Sequence, residues 1–488
     1  MINYRLTYLT ALLIFLYSCS DHPVPGSGKT QHTPLLEPDY TGVTIPVNIA
    51  PMNFKIQEKA EKYFVEVNGT DGSSVNTSSK SGTIAFPVKK WQRLLRQNQN
   101  QELTYTIYLK NNGEWQKTEP FTQKISGDPV DPYLYYRLLH PGYISWTEIS
   151  IKQRNLESFR EKTVVENNVL SQNCVNCHSF NRENPDNFLF HVRGSHGGTY
   201  FMEGDQLKKV NLKTEDIENG ATYPRWHPSG KFVAFSSNKV VQQFHSADMK
   251  KIEVSDLNSK LVLYDIEKNE IFEIEVGNHG QFMDTYPEWS PCGTQLFFCR
   301  AAQIGEVYDY QDIRYDLYRA SFDPATRTFG EPERMVDAGA MQKSISFPRV
   351  SPDGNTLVFT LHDFGCFPIW HEEADLHAID LQNLRAFELP VNSDKTESYH
   401  SWSSNGRWLL FSSKRGDGLS ARPYIAWSGP DGQTGKPFVL PQKDPEFYRK
   451  FLKTYNIPEF ATTEVSFTPS KLRKAAESDA LQANRKSR

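Results

Sequence analysis

Apolar positions in this chain come in short runs, and from residue 41 onward those runs alternate with polar positions at a period of two. Tyr105, Ile107 and Leu109 interleave with Thr104, Thr106 and Tyr108, a pattern that predicts a strand with one buried face. Phe54 to Ile56, Tyr63 to Val67 and Thr83 to Phe86 read the same way, and Asn-Gly at 68–69 and 112–113 marks turns. Lys90 to Gln97 reads as one or two helical turns. Residues 41–128 therefore predict a β-sandwich of the immunoglobulin or fibronectin type, a spacer or binding module with nothing catalytic in it.

Farther on, the pattern repeats. YPRWHPSGKFVAFS from Tyr223, YPEWSPCGTQLFFC from Tyr286, FPRVSPDGNTLVFT from Phe347 and YHSWSSNGRWLLFS from Tyr399 share one form, aromatic-Pro-x-Trp-Ser-Pro-x-Gly-x-x-Leu-x-Phe-Ser. A weaker copy runs from Asn184 to Phe190. The aromatic and Trp positions belong to one strand, Pro-x-Gly makes a tight turn with glycine at positive φ, and the next strand returns its apolar residues to the core. Leu261 to Ile266, Asp316 to Phe322 and Asp375 to Leu381 supply a third strand, and Ile271 to Val276 a fourth. Two hairpins make a four-stranded blade, and blades stacked around an axis make a β-propeller.

This repeat resembles the TolB-type propeller repeat, a relative of the WD repeat, over about 280 residues. The resemblance implies an all-β fold with six blades over 184–465 and a bacterial TolB-like cell-envelope lipoprotein. It implies little about function, because propellers serve many functions. Residues 129–183 are expected as a short, partly helical segment between sandwich and propeller. Residues 466–488, with six basic and two acidic residues, are expected as a disordered tail.

The amino terminus reads as an address. Residues 6–17, LTYLTALLIFLY, are too short to span a bilayer but fit the apolar core of a secretion signal. Leu16-Tyr17-Ser18-Cys19 resembles a bacterial lipobox, which implies cleavage before Cys19 and lipidation of that residue. The rival is an ordinary cleavage site with a chance cysteine. The expected order is a signal at 1–18, a flexible tether at 19–40, and a location anchored to, not across, a membrane of the bacterial cell envelope, most simply the outer membrane.

Cys174-Val175-Asn176-Cys177-His178 has the spacing of c-type haem attachment. Two thiols could add to the two vinyl groups, and His178 would lie under the iron as proximal ligand. His191, His196 and Met202, in a glycine-rich stretch downstream, are the sixth-ligand candidates, with His140 upstream. A CxxC disulfide, a metal site and a vestigial motif remain open alternatives.

Composition removes several classes. A net charge of −4, from 54 basic against 58 acidic residues, gives no basic surface for nucleic acid. Six cysteines in 488 residues make no disulfide scaffold. No Gly-x-Ser-x-Gly elbow, P-loop, HExxH or dinucleotide fingerprint occurs. His227, His245, His279, His362, His371, His377 and His400 share no ligand spacing, with His279 and His362 the two that could face a central channel. Cys292, Cys299 and Cys366 have no assigned task. Asp363, Glu372, Glu373 and Asp375 could bind a cation or form an acidic loop. The expected function is a non-enzymatic, lipid-anchored scaffold binding an envelope protein or glycan. The alternative is a haem electron-transfer protein that docks through its propeller. A propeller enzyme acting on carbohydrate is a third reading, for which no residues can be nominated.

Overall fold

The computed structural model describes Pro23, residues 28–29, 32–141, 148–204, 206–245, 252–277, 280–305, 307–430 and 432–486, and structural statements below concern those residues. The expected signal at 1–18 and Cys19 lie outside them.

Residues 28–29 and 36–126 form a two-sheet unit. One sheet has seven strands, built around the long antiparallel pair Lys62–Gly69 and Glu102–Asn111; the other has three. The helix Val88–Gln97 buries Trp91, Leu94 and Leu95 between them. Part of the expected tether at 19–40 is taken into these sheets, where Gly28–Lys29 pairs with Gln116–Lys117. Leu36–Glu37 pairs with Lys55–Ile56, and Tyr40 is fully buried.

Six sheets follow, and they form a six-bladed propeller. Their inner strands are Val175–Asn181, Thr222–Trp226, Phe282–Trp289, Ser344–Val350, Glu397–Trp402 and Thr454–Ala461. Each contacts the next, and the last contacts the first, which closes the ring. Thr454–Ala461 pairs with Tyr133–Leu139, so the closing blade joins strands from the two ends of the propeller.

This topology corrects the expected boundaries. Residues 129–183 are not a partly helical insert. They supply three strands of the closing blade (133–139, 150–155, 161–166) and the inner strand of the next. Among the described residues of this stretch, the helical positions are the 3₁₀ turn Asn167–Leu170 and the 3₁₀ residues Pro141 and Glu148. The propeller thus begins at Tyr133, some fifty residues before the first recognisable repeat.

The carboxy-terminal residues are also ordered through 486. The helix Pro469–Glu477 buries Leu472, Ala475 and Ala476 against the first two blades. Leu481–Gln482 then pairs with Val210–Asn211, and Asn484–Arg485 with Glu270–Ile271, on the outer edges of two adjacent blades. A basic composition suggested a frayed tail, but three apolar residues at helical spacing and unpaired sheet edges hold it.

The two-sheet unit shares one hydrophobic core with the propeller. Trp91 and Tyr105 belong to the same cluster as Trp408, Ile425 and Tyr455. Asp131 accepts hydrogen bonds from the Ser404 N–H at 2.7 Å and its hydroxyl at 2.5 Å. The unit is packed on the blades, not held away from them.

Candidate functional site: the channel and its mouth

Each inner strand carries the same irregularity. Cys177, Tyr223, Tyr286, Phe347, Tyr399 and Ile457 all have left-handed φ, between 46° and 52°. Each sits in a register shift against its neighbouring strand. Such bulges re-aim a side chain, and positive φ in bulky residues needs the surrounding structure to enforce it. Here they bring the aromatic rings together. Tyr223 and Tyr286 are 4.6 Å apart between centroids, Tyr286 and Phe347 4.1 Å, and Phe347 and Tyr399 4.8 Å. The six side chains plug the channel.

The CxxCH sequence is therefore one of the repeats. Cys177 holds the place of the repeat aromatic and His178 that of the repeat proline. Asn456-Ile457-Pro458-Glu459 is another degenerate copy, whose Pro458 was the legible signal.

Below the plug the strands present Arg225, Glu288, Arg349 and Glu459. Arg225 Nε lies 2.6 Å from Glu288, and its Nη1 lies 3.2 Å from Glu459; Arg349 Nη1 lies 3.4 Å from Glu288. Glu183 lines the same end, so two arginines face three glutamates there. Burial pushes Glu459 up to about 7 against the pull of Arg225 and Arg349.

Above the plug opens a cavity of about 400 Å³, in the range of small-ligand sites. The hairpin Phe232–Phe244/Ile252–Asp265 overhangs it, with Val240, Phe244 and Val254 on the wall. Its base is pinned from inside: Asp256 accepts from the Tyr315 hydroxyl at 2.9 Å, the Asn238 amide at 3.0 Å and the Cys366 thiol at 3.2 Å. Burial raises the Asp256 pKa.

On the floor, the buried Arg137 donates to the side-chain oxygens of Asn176 and Asn456, the latter at 2.5 Å. On the far wall Lys414 donates to the Ile369 carbonyl at 2.6 Å and lies 5.2 Å from the Trp370 ring centre. Burial holds its ammonium down to about 8. Sequence reasoning missed Arg137, Lys414, Trp370 and Asn456. They come from three blades, with Arg137 and Asn456 paired on the closing one, and share no local motif.

The haem residues do not come together. Cys174 packs against the core between blades, and its sulfur accepts from the Asn176 amide at 3.1 Å. Cys177 instead lines the channel. A helix would place residues three apart on one face; this segment is extended, and the two thiols enter different compartments. His178 is enclosed beside a space of only about 30 Å³, and burial, then the Arg137 charge, hold its imidazole down to about 3. His191 meets Thr199 at 3.3 Å, and burial also holds it to about 3. His196 is engaged by Ser171 at 3.1 Å and the Ala476 carbonyl at 3.0 Å, and Met202 is buried in the core. These residues do not fit a covalently attached haem.

The remaining candidates also have structural partners. Cys174, Cys177, Cys292, Cys299 and Cys366 form no disulfide among the described residues; Cys299 and Cys366 are buried, and Cys292 is exposed. His362 is buried, 2.9 Å from the Ser346 hydroxyl. His279 lies outside the described residues. Asp363 pairs with Lys343 at 2.6 Å, Glu372 with Lys395, and Glu373 with His371 at 2.7 Å. Among the described residues no cluster of His, Cys, Asp and Glu is arranged to hold a metal ion, and no helix is long and apolar enough to cross a membrane.

No protein-family model matches the sequence, and no curated protein matches it. Among solved structures, the chain is similar to prolyl oligopeptidase B from Galerina marginata, with 10% identity over 69% of this chain and 43% of that one, at a TM-score of 0.35. It is similar to the Dos1 propeller, with 12% identity over 48% and 66%, at 0.29. It is similar also to Porphyromonas gingivalis dipeptidyl peptidase 4, with 9% identity over 82% and 59%, at 0.29. The chain spans roughly two fifths to three fifths of the length of these two peptidases, and the likeness is one of fold.

Proposed function

We propose that the protein is a non-enzymatic binding module of a bacterial cell envelope, held there through Cys19, which receives a segment of a protein or glycan partner at the mouth of its propeller. The observation that carries this reading is the 400 Å³ cavity over a sealed plug, overhung by a long hairpin pinned at its base. A sealed floor makes a receptacle and not a conduit. Among the described residues the wall supplies aromatic, amide and cationic groups but no serine, aspartate or glutamate, which supports binding over hydrolysis. The lipobox-like Leu16 to Cys19 and the TolB-like repeat support the envelope location.

Two measurements test the proposal. Palmitate labelling of cells should mark the wild-type protein and not Cys19→Ala. Crosslinking in intact cells from a photoreactive residue at Phe244 should capture a partner that the same residue at Leu384, an exposed outer-blade position, does not. Equal capture at both positions would remove the mouth as the binding site.

A further inference from the structure

The mouth cavity and the opposite end of the channel differ in charge. Below the plug, Arg225 and Arg349 face Glu288 and Glu459. Above it, the wall includes Arg137, Arg193, Lys414 and His140, the last paired with Glu148 at 2.8 Å, and no aspartate or glutamate among the described lining residues. This occurs in a chain whose acids outnumber its bases, 58 to 54. A cleft lined by one sign of charge, with low-dielectric walls, concentrates ions of the other sign.

The cationic groups are held in place. Arg137 is fixed by the amide oxygens of Asn176 and Asn456, which lie on two different blades. A guanidinium oriented in this way presents a planar fork suited to a carboxylate. Lys414 is fixed by the Ile369 carbonyl, and the flat ring of Trp370 stands beside it. Gln242 adds an amide higher on the wall.

From these positions we infer that the mouth takes a carboxylate-bearing sugar chain, with Arg137 and Lys414 receiving the carboxylate and Trp370 carrying the C–H face of a sugar ring. This rests on the proposed binding function of the mouth. A uronate unit matches the wall in three respects. Its charge meets the cations, its hydroxyls meet the side-chain amides, and its apolar face meets the indole. A peptide matches less well, because the described wall residues offer no carboxylate to an amino group.

The test is calorimetric titration of the purified full-length protein with hexameric oligogalacturonate, oligoglucuronate and oligomannuronate. Controls are the fully methyl-esterified forms, a neutral maltohexaose, and a hexapeptide with a free carboxyl terminus. At least one uronate should bind, and its methyl ester at least tenfold more weakly. Lys414→Met and Arg193→Gln should each weaken binding several-fold while the melting temperature stays near wild type. Arg137→Gln should weaken it most, and the first two variants decide the matter if that one does not fold. Failure of all three uronates, or equal binding of ester and acid, would overturn the inference. If the peptide or the neutral sugar binds instead and the mouth variants abolish it, the binding function stands and the ligand class falls. Uronate binding that ignores Lys414 and Arg193 would place the site elsewhere and overturn both.

Discussion

The Trp289 indole N–H donates to the backbone carbonyl of Arg225 on the preceding blade at 3.2 Å. Trp226 does the same to Ser179 at 3.3 Å, and Trp402 to Arg349 at 3.2 Å. The repeat tryptophan thus joins neighbouring blades, beyond filling its own. The blade with Val350 at this position lacks that donor. Trp289→Phe keeps most of the ring and leaves a buried carbonyl short of a partner, a loss of about 1–3 kcal/mol. Urea unfolding should show a lower midpoint, while Val350→Ile, which alters no such bond, should move it little.

The plug makes a second prediction. Tyr286 is fully buried, packs in tilted contact between Tyr223 and Phe347, and donates its hydroxyl to the Cys366 carbonyl at 2.7 Å. Tyr286→Phe should cost about 1–2 kcal/mol for the lost hydrogen bond. Tyr286→Ala should cost about 3–5 kcal/mol, because the neighbouring blades cannot collapse onto the axis. Thermal melts should rank wild type, phenylalanine and alanine in that order. Equal melting of all three would mean the ring does not pack at the axis.

Stability should depend on pH from both sides. His178, His191 and His400 are held to about 3, chiefly by burial, against an ordinary 6.5. Between pH 6.5 and 3 the unfolded chain binds more protons at these residues, so stability falls as pH falls. Burial pushes Glu459 up to about 7 and Glu183 up to about 8 against an ordinary 4.5. Between pH 4.5 and these values the folded chain binds more protons, so stability falls as pH rises. Melting temperature scanned from pH 4 to 9 should pass through a maximum, and Glu459→Gln should move that maximum to higher pH.

The carboxy-terminal helix and its two short strands close the outer edges of two blades. Deleting residues 468–488 should expose those edges and the surface under Leu472 and Ala476. Hydrogen exchange should then speed up at Val210 and Ile271, with no change at Ile379 on a distant blade. Uniform exchange across all three would mean the staple is not formed.

The CxxCH geometry predicts a spectroscopic result. Protein made together with c-type haem maturation factors should show no covalent Soret band on a denaturing gel. Cys174→Ser should fold, since that thiol is only partly buried. A covalent band lost on replacing Cys174 or Cys177 would contradict the strand assignment.

Much of this protein was legible in local sequence. Strand periodicity, Pro-x-Gly turns and the aromatic-Pro-x-Trp repeat are set by dihedral preference and burial within a dozen residues, so four blades and the all-β class could be read directly. Two inner strands could not. Cys177-His178 and Ile457-Pro458 carry the same left-handed bulge as Tyr286-Pro287, but little of its composition. Their backbone is imposed by neighbouring blades, and a haem-like spacing arose at a position where only tertiary packing decides what a residue faces. The tail was misread for a related reason: its order comes from sheet edges more than two hundred residues away. The mouth lay wholly beyond sequence. Arg137, Lys414, Trp370 and Asn456 become neighbours only when the closing blade joins the two ends of the propeller. What one stretch of chain can bury by itself is local; which charges share a cavity is decided by the closed ring.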